Sequence, residues 1–500
     1  MIVDRYGSCQ MKLTYAPLSY VLKKNSFAYF LVRVVEKCFG YIEFPKKEEK
    51  RGRPAHDPCN MIKLIVYAYH MGIRSSIIIA DLAKSDKVYN AVSCGLTPSD
   101  RSIREFVHNN SDLINYFNEL IVYFAILLGL TDYEHIAVDG TIMKAHNSKY
   151  NVIHEDDLEI VINYLTDNCE EDNDNLLENL RRPALNFIKR TNISKEDKLT
   201  VLYKAKEQFR IRDCNTVPLN DVEACWMHNK SGNNEISYNV QSAVDTKSKI
   251  ICKLKATSNP TDHYELPNIL HETLKRINVI PKYVSADTGY HTQTTIDYLI
   301  KTHIKGLVPT SQQTRKIKKK LNENPYHKDH FNYIFEGDFF LCPKNKKLHF
   351  KYSYDQKTSK QTDNIRTERK YLNYKECKNC ESLEKCTKNT HRTITESGNM
   401  RMLEMNNRME QEENKKEFKK RFSTAEGPFG TLKSFYNINN IKTIGLNAVN
   451  NILEICTFSY NLKVIYNLLN KKLKNTSVVD FFNDRMKCLD DINFKLKWEV

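Results

Sequence analysis

The chain has no uninterrupted apolar run long enough to cross a bilayer. Its most apolar stretch, Leu113 to Leu130, is broken by Asn115, Asn118 and Glu119 and reads as a core helix. The N-terminus also lacks a long apolar core and opens with Asp4 and Arg5, so no secretory leader is expected. Acid is the scarcer charge. The 61 Asp and Glu against 76 Lys and Arg leave a formal net charge of +15 and a pI of about 9.0. That balance exceeds what solubility needs and points to nucleic acid, with an anionic membrane surface as the weaker alternative. The 14 cysteines are expected as thiols or metal ligands in a reducing cytoplasm. With 500 residues the chain can form several domains, the largest with a sizeable core.

Three acids stand in informative surroundings. Asp139 ends the apolar run Ile136-Ala137-Val138 and is followed by Gly140-Thr141. Asp287 ends Tyr283-Val284-Ser285-Ala286 and is followed by Thr288-Gly289-Tyr290. Glu426 opens Glu426-Gly427-Pro428-Phe429-Gly430-Thr431-Leu432-Lys433. The first two runs read as buried strands with a carboxylate at the strand end, where open α/β sheets place their ligands. The third segment can be helical. Any one acid alone reads as a solvated surface group. Carboxylates held close together repel unless a cation neutralises them. Mg²⁺ prefers such oxygens and keeps waters for a phosphate substrate, and two such ions can clamp the attacking and leaving oxygens of a phosphodiester.

Organisation follows from breakers and periodicity. Ser26 to Gly40 reads as one helix, followed by a basic linker from Lys46 to Pro54. Asp57-Pro58 is an N-cap with Pro at the first helical position, and Gly72 stops the helix. Short helices are expected over Ser75 to Ser85, Val88 to Ser93 and Ser99 to Asn109, then a long one from Ser111 to Gly129. Arg74, Arg101 and Arg104 interleave with apolar positions there, which suits a helix-turn-helix type DNA-binding domain; a purely structural bundle is the alternative. Residues 147–229 form a charged insert, and its acidic run 170–174 reads as a solvated loop. Ser237 to Val244 and Ile250 to Thr257 read as paired strands, and the order of elements to Val308 fits a mixed sheet. Arg315 to Lys320 is strongly basic. Aromatic-rich pieces and clustered cysteines follow, as in a partly β insert. A helix-prone run from Met402 to Phe435 and an apolar helix from Ala448 to Leu469 come next, and the last 30 residues read as peripheral.

In the insert, Cys377-Lys378-Asn379-Cys380 is followed by Cys386, with Cys342 as a possible fourth partner. Four thiolates suit tetrahedral structural zinc. The alternative is a set of reduced thiols in a loop, and His349 and His391 are rival ligands.

Taken in order, the motifs resemble those of the DDE transposases of bacterial insertion sequences, in a subgroup with a helical N-terminal domain and a cysteine-bearing insert. The resemblance covers about residues 50–470. It is carried by Gly52-Arg53-Pro54, Gly72-Ile73-Arg74-Ser75-Ser76, Gly95-Leu96-Thr97-Pro98 and Val138-Asp139-Gly140-Thr141 with Lys144-Ala145. Further along it rests on Tyr238-Asn239-Val240-Gln241-Ser242-Ala243-Val244-Asp245, Ala286-Asp287-Thr288-Gly289-Tyr290 and the segment from Glu426 to Lys433.

The resemblance implies an α/β fold with a ribonuclease H-like mixed-sheet catalytic core. An α-helical N-terminal domain and an inserted, partly β, cysteine-rich subdomain would flank it. The expected division is 1–130 for the DNA-binding domain, 131–309 with 416–470 for the core, 310–415 for the insert and 471–500 for a C-terminal tail. The implied activity is DNA strand cleavage and strand transfer with Asp139, Asp287 and Glu426 as metal ligands for Mg²⁺ or Mn²⁺. Lys433 stands seven residues after Glu426, which returns it to nearly the same helical face, within reach of a phosphate. Pro428 is expected to kink or restart that helix. Related enzymes place a Tyr and an Arg before the Glu; here Arg421 precedes it by five and no Tyr stands near. Arg74 and Arg104 are candidate DNA contacts. The expected partners are element terminal inverted repeats and target DNA, bound by a homodimer or larger assembly in the cytoplasm, at the nucleoid, with no membrane. A lapsed DNA-binding derivative and a metal-dependent nuclease without strand transfer are the rival functions.

Overall fold

The computed structural model describes residues 21–43, 56–166, 177, 179–229, 232–357, 365–473, 476–491 and 496–497. The basic linker with Gly52-Arg53-Pro54 and the acidic run 170–174 lie outside the described residues.

Helices Phe27–Gly40, Pro58–His70, Ser76–Ser85, Lys87–Val92, Asp100–Asn109 and α1 (Ser111–Leu127) open the fold. Local chemistry sets their ends. Ser26 caps the first by accepting from Tyr29 N, and Asp57 caps the second with Pro58 inside its first turn. A mixed sheet follows, built from β1 (His135–Lys144), β2 (Cys225–His228), β3 (Asn234–Asp245), β4 (Ile251–Thr257), β5 (Tyr283–Ser285) and β6 (Lys305–Leu307). Its order is β2-β3-β1-β5-β6, with β4 also on β3. β1 runs antiparallel to β3 and parallel to β5, and β5 is parallel to β6. Helix α2 (Glu265–Ile277) and the helix Gln293–Lys301 make the crossovers. This mixed α/β arrangement is consistent with a ribonuclease H-like core.

Between β1 and β2 the charged segment folds into helices Glu155–Thr166, Arg182–Ile188 and Lys195–Ile211 around an apolar cluster of its own, including Val161, Phe187 and Leu202. After β6 a five-stranded antiparallel sheet forms from β7 (Asn332–Ile334), β8 (Phe339–Leu341), β9 (Lys347–Lys357), β10 (Ile365–Leu372) and β11 (Thr393–Ser397). Its core is small: Phe331, Phe340, Leu348, Tyr371 and Ile394.

The long helix-prone run breaks into Met400–Glu410, Glu412–Lys419 and α3 (Phe422–Ser434); then comes α4 (Leu446–Lys472). Between Asn451 and Leu462 α4 is buried on nearly every side, as a helix wrapped by neighbours must be. It packs on α1, β4 and the helix Pro58–His70, so the N-terminal helices and the sheet share one apolar core. Inside that core Glu454 accepts from Lys253 Nζ at 2.7 Å, Asn118 Nδ2 at 2.8 Å and Arg276 Nη2 at 3.0 Å. One buried carboxylate thereby joins α1, β4, α2 and α4.

The end of the chain departs from expectation. Residues Val478–Asp491 form a helix that buries Val478, Val479, Phe482 and Met486. The Phe482 ring meets Phe30 and Phe124, and Tyr41 donates to Met486 O. These residues are part of the core, not a peripheral tail. Among the described residues no helix is long and apolar enough to cross a membrane.

Candidate active site

Asp139 and Asp287 come together through strand pairing. β1 and β5 are parallel neighbours in register at Ala137 and Ser285, so the two acids, each two residues further on, stand level. Asp139 is not at the end of its strand, contrary to expectation. The parallel pairing stops before it, but the antiparallel ladder with β3 continues past it to Lys144, with Asp139 opposite Ser242. Gly140 interrupts the apolar pattern without interrupting the hydrogen bonds. Asp287 does leave its strand. It caps the turn Thr288–Tyr290 by accepting from Gly289 N at 2.8 Å. Its side chain is 47% exposed against 19% for Asp139, so one carboxylate faces solvent and the other is largely enclosed.

The N-terminal end of α3 supplies the countercharge. Arg421 donates from Nη2 to Asp139 Oδ1 at 2.6 Å and lies 4.0 Å from Asp287 Oδ2. Its Nε reaches Val138 O at 3.3 Å. Burial pushes the Asp139 carboxyl up to about 6; Arg421 opposes that rise, while Asp287 and Asp262 add to it.

α3 also carries Glu426 and Lys433. Glu426 is exposed and makes no hydrogen bond or ion pair among the described residues. Lys433 reaches β1, donating to Thr141 Oγ1 at 2.5 Å and to Ile142 O at 3.2 Å. The helix runs unbroken from Phe422 to Ser434 with Pro428 inside it, so it is not restarted there. Arg421 at one end and Lys433 at the other pin α3 along β1, which offsets the hydrogen bond that Pro428 cannot make.

Sequence reasoning missed a third carboxylate. Asp262, after β4, accepts from Asn239 Nδ2 at 2.8 Å and Gln241 Nε2 at 2.6 Å. It lies directly over Gly140, where any Cβ would collide with its carboxylate, and its Cβ is 3.5 Å from where a Cβ on Gly289 would stand. Fully buried Tyr290 donates to Gln241 Oε1, tying the turn after Asp287 to the same amide network. The available signal was Asn239 and Gln241, two amides two apart on one face of a buried strand.

The remaining candidates lie elsewhere. Arg74 donates to Asn437 O and Asn440 O, in the loop after α3. Next to it a Cβ on Gly72, at φ +75°, would stand 2.7 Å from Phe435 O. The Gly72-Ile73-Arg74 motif thus anchors the end of α3. Arg104 is exposed and pairs with Asp100 at 2.8 Å.

Cys342, Cys377, Cys380 and Cys386 all line one cavity of about 30 Å³ in the insert; His349 and His391 do not. Lys346 N donates to Cys342 Sγ at 3.3 Å, and Asn345 between them takes a φ of 58°. The described cysteines are free thiols. Among the described residues no group of three or more His, Cys, Asp or Glu is arranged as a ready ion cage, at the acids or at the thiols.

A family model described as Transposase DDE domain matches residues 130–462, and a second, described as Transposase domain (DUF772), matches residues 17–109. No curated protein and no protein of solved structure matches the chain.

Proposed function

The chain belongs to the transposase DDE domain family, and on that premise we propose that it binds the ends of its element and catalyses metal-dependent DNA cleavage and strand transfer. The observation that carries this reading is the level placement of Asp139 and Asp287, joined by Arg421. Two acids side by side with a guanidinium between them form a site built for positive charge.

Asp139, Asp287 and Glu426 are the proposed ligands of Mg²⁺ or Mn²⁺. Their oxygens have the right chemistry, and Glu426, on the helix that begins just after Arg421, makes no hydrogen bond or ion pair among the described residues. When bound, such ions neutralise the charge on the attacking and leaving oxygens of a phosphodiester. The protein's own part is position. The β1–β5 pairing fixes the two aspartates; Glu426 is proposed to join them from α3, and Arg421 and Lys433 are proposed to offer cations to the phosphate backbone. Of the two N-terminal candidates, exposed Arg104 is the proposed DNA contact, because Arg74 is held by Asn437 O and Asn440 O. The assembly on DNA is proposed as a dimer or larger, because two element ends must be paired, and the setting as the cytoplasm, at the nucleoid. The division into N-terminal DNA-binding helices to residue 130, a catalytic core that shares its apolar centre with them, and an insert over 310–415 is part of the same proposal.

In the insert, the four cysteines are proposed to hold one structural zinc. They converge on one cavity beneath a five-residue core too small to hold a subdomain on its own.

The test is incubation of the protein and Mg²⁺ with DNA that carries candidate element ends taken from both flanks of the coding region. Joined products support the reading. Cleavage alone identifies a nuclease, and binding alone a lapsed regulator.

A further inference from the structure

The longest hairpin of the insert outgrows its own sheet. β8 pairs with β9 only over Lys347 to His349, and β11 pairs with β10 only over Glu368 to Leu372. Among the described residues the outer edge of β9 has no partner strand from Phe350 to Lys357, and from Glu368 back to Ile365 the two strands pair only with each other. Of the eleven residues of β9, Leu348 alone is buried. Eight residues at about 3.4 Å each make an open ribbon roughly 25 Å long.

Its surface is aromatic and basic. Tyr352 and Tyr354 are 51% and 42% exposed, and their rings stand 6.3 Å apart on one face. Lys370 holds its ammonium 5.7 Å from the Tyr354 ring centre. A bulge at Lys351 turns Phe350 to the other face, where the Arg369 guanidinium lies 4.1 Å from its ring. β9 carries Lys347, Lys351 and Lys357 against Asp355 alone, and Lys351 has no ion pair among the described residues.

An open edge can recruit a strand from a second copy, but lysine along an edge is a standard obstacle to that pairing. The same charges complement phosphate. The major groove of B-DNA, about 12 Å wide, admits a two-stranded ribbon. We propose that the ribbon of β9 and β10 is a duplex-DNA contact, seated in the major groove with Tyr352 and Tyr354 toward the DNA and Lys351 at a backbone phosphate. The proposal rests on the function assigned above but concerns a surface outside the acidic site.

Two variants of the full chain test it, Lys351→Ala and the pair Tyr352→Ala with Tyr354→Ala. These side chains are exposed, so melting should match the parent. The probes are a short duplex of arbitrary sequence and one of its single strands, titrated at several salt concentrations. The paired variant should lose about tenfold in duplex affinity, and Lys351→Ala should lower the slope of log K against log salt by about 0.9. Unchanged affinity and slope overturn the proposal. So does a loss confined to the single strand, or variants that instead lose self-association in sedimentation. A parent that binds no duplex overturns the assigned function as well, whereas a parent that binds and variants that bind equally overturn the ribbon alone.

Discussion

The Arg421 guanidinium bonds to the Asp139 carboxylate at 2.6 Å, with only 9% and 19% of the two side chains exposed. This pair is the charge balance of the acidic site. Removing Arg421 strands a buried carboxylate beside Asp287, a kind of change that costs about 3 kcal/mol or more. Arg421→Gln is expected to melt several degrees below the parent in chelator. Saturating Mg²⁺ should narrow the gap, because the ion supplies the charge the arginine gave. An equal gap with and without Mg²⁺ would show that Arg421 acts by packing alone.

Asp139→Asn, Asp287→Asn and Glu426→Gln are each expected to lower cleavage by more than about a hundredfold, since even outer partners of metal ligands cost ten- to hundredfold. Binding to element ends should stay within a few-fold of the parent, because none of the three donates to phosphate. Band-shift and cleavage assays on one DNA read both quantities. Glu426 carries the sharpest risk. It is exposed and has no ion pair among the described residues, and a Glu426→Gln protein that cuts at the parent rate removes it from the site.

The two arginines of the N-terminal helices should behave differently. Arg104 pairs with Asp100 at the surface and can exchange that partner for phosphate. Arg104→Ala is expected to weaken DNA binding and to lower the salt slope by about 0.9. Arg74 is held by the loop after α3, so Arg74→Ala should act on melting temperature and on cleavage instead. A salt slope that moved with Arg74 and not with Arg104 would reverse the assignment.

The buried Glu454 fixes an acid limit. Burial alone would raise its pKa, but Arg276 and Lys253 hold it below the ordinary glutamate value. A carboxyl with a depressed folded pKa gives stability above its unfolded value, about 4.5, and loses it as pH falls through the folded one. Melting temperature should therefore drop below about pH 4.5, and Glu454→Gln should flatten that drop while lowering stability at neutral pH. An acid limb as steep in Glu454→Gln as in the parent would place the sensitive group elsewhere.

What could be read in advance was local. Asp57-Pro58 announced a helix start, and the apolar runs before Asp139 and Asp287 announced two strands. What could not be read was set by distant partners. β1 continues through Gly140 because β3 supplies its ladder. Arg421 reaches Asp139 and Asp262 reaches Gly140 across folds of the chain that no spacing encodes. The helix at 478–491 was legible in part: Val478, Val479, Phe482 and Met486 recur on one helical face, but the charges between them made the segment look peripheral.

The insert gives the last prediction. Its β-sheet core is five side chains, and such a core needs a staple. If the four thiols around the cavity supply it, purified protein should contain about one zinc per chain, as four-thiolate sites do. Binding deprotonates the ligands, so zinc should be released by chelator more readily at low pH. Cys386 offers a check on this order, because burial and the neighbouring thiols raise its pKa in the metal-free cluster. Cys380→Ser should lose the metal and expose residues 310–415 to protease. Asp139 and Asp287 lie outside the insert, so metal-dependent cleavage should persist in weakened form while DNA affinity falls. A protein without zinc, whose Cys380→Ser variant resists protease as the parent does, would leave the insert held by Phe331, Phe340, Tyr371 and their neighbours alone.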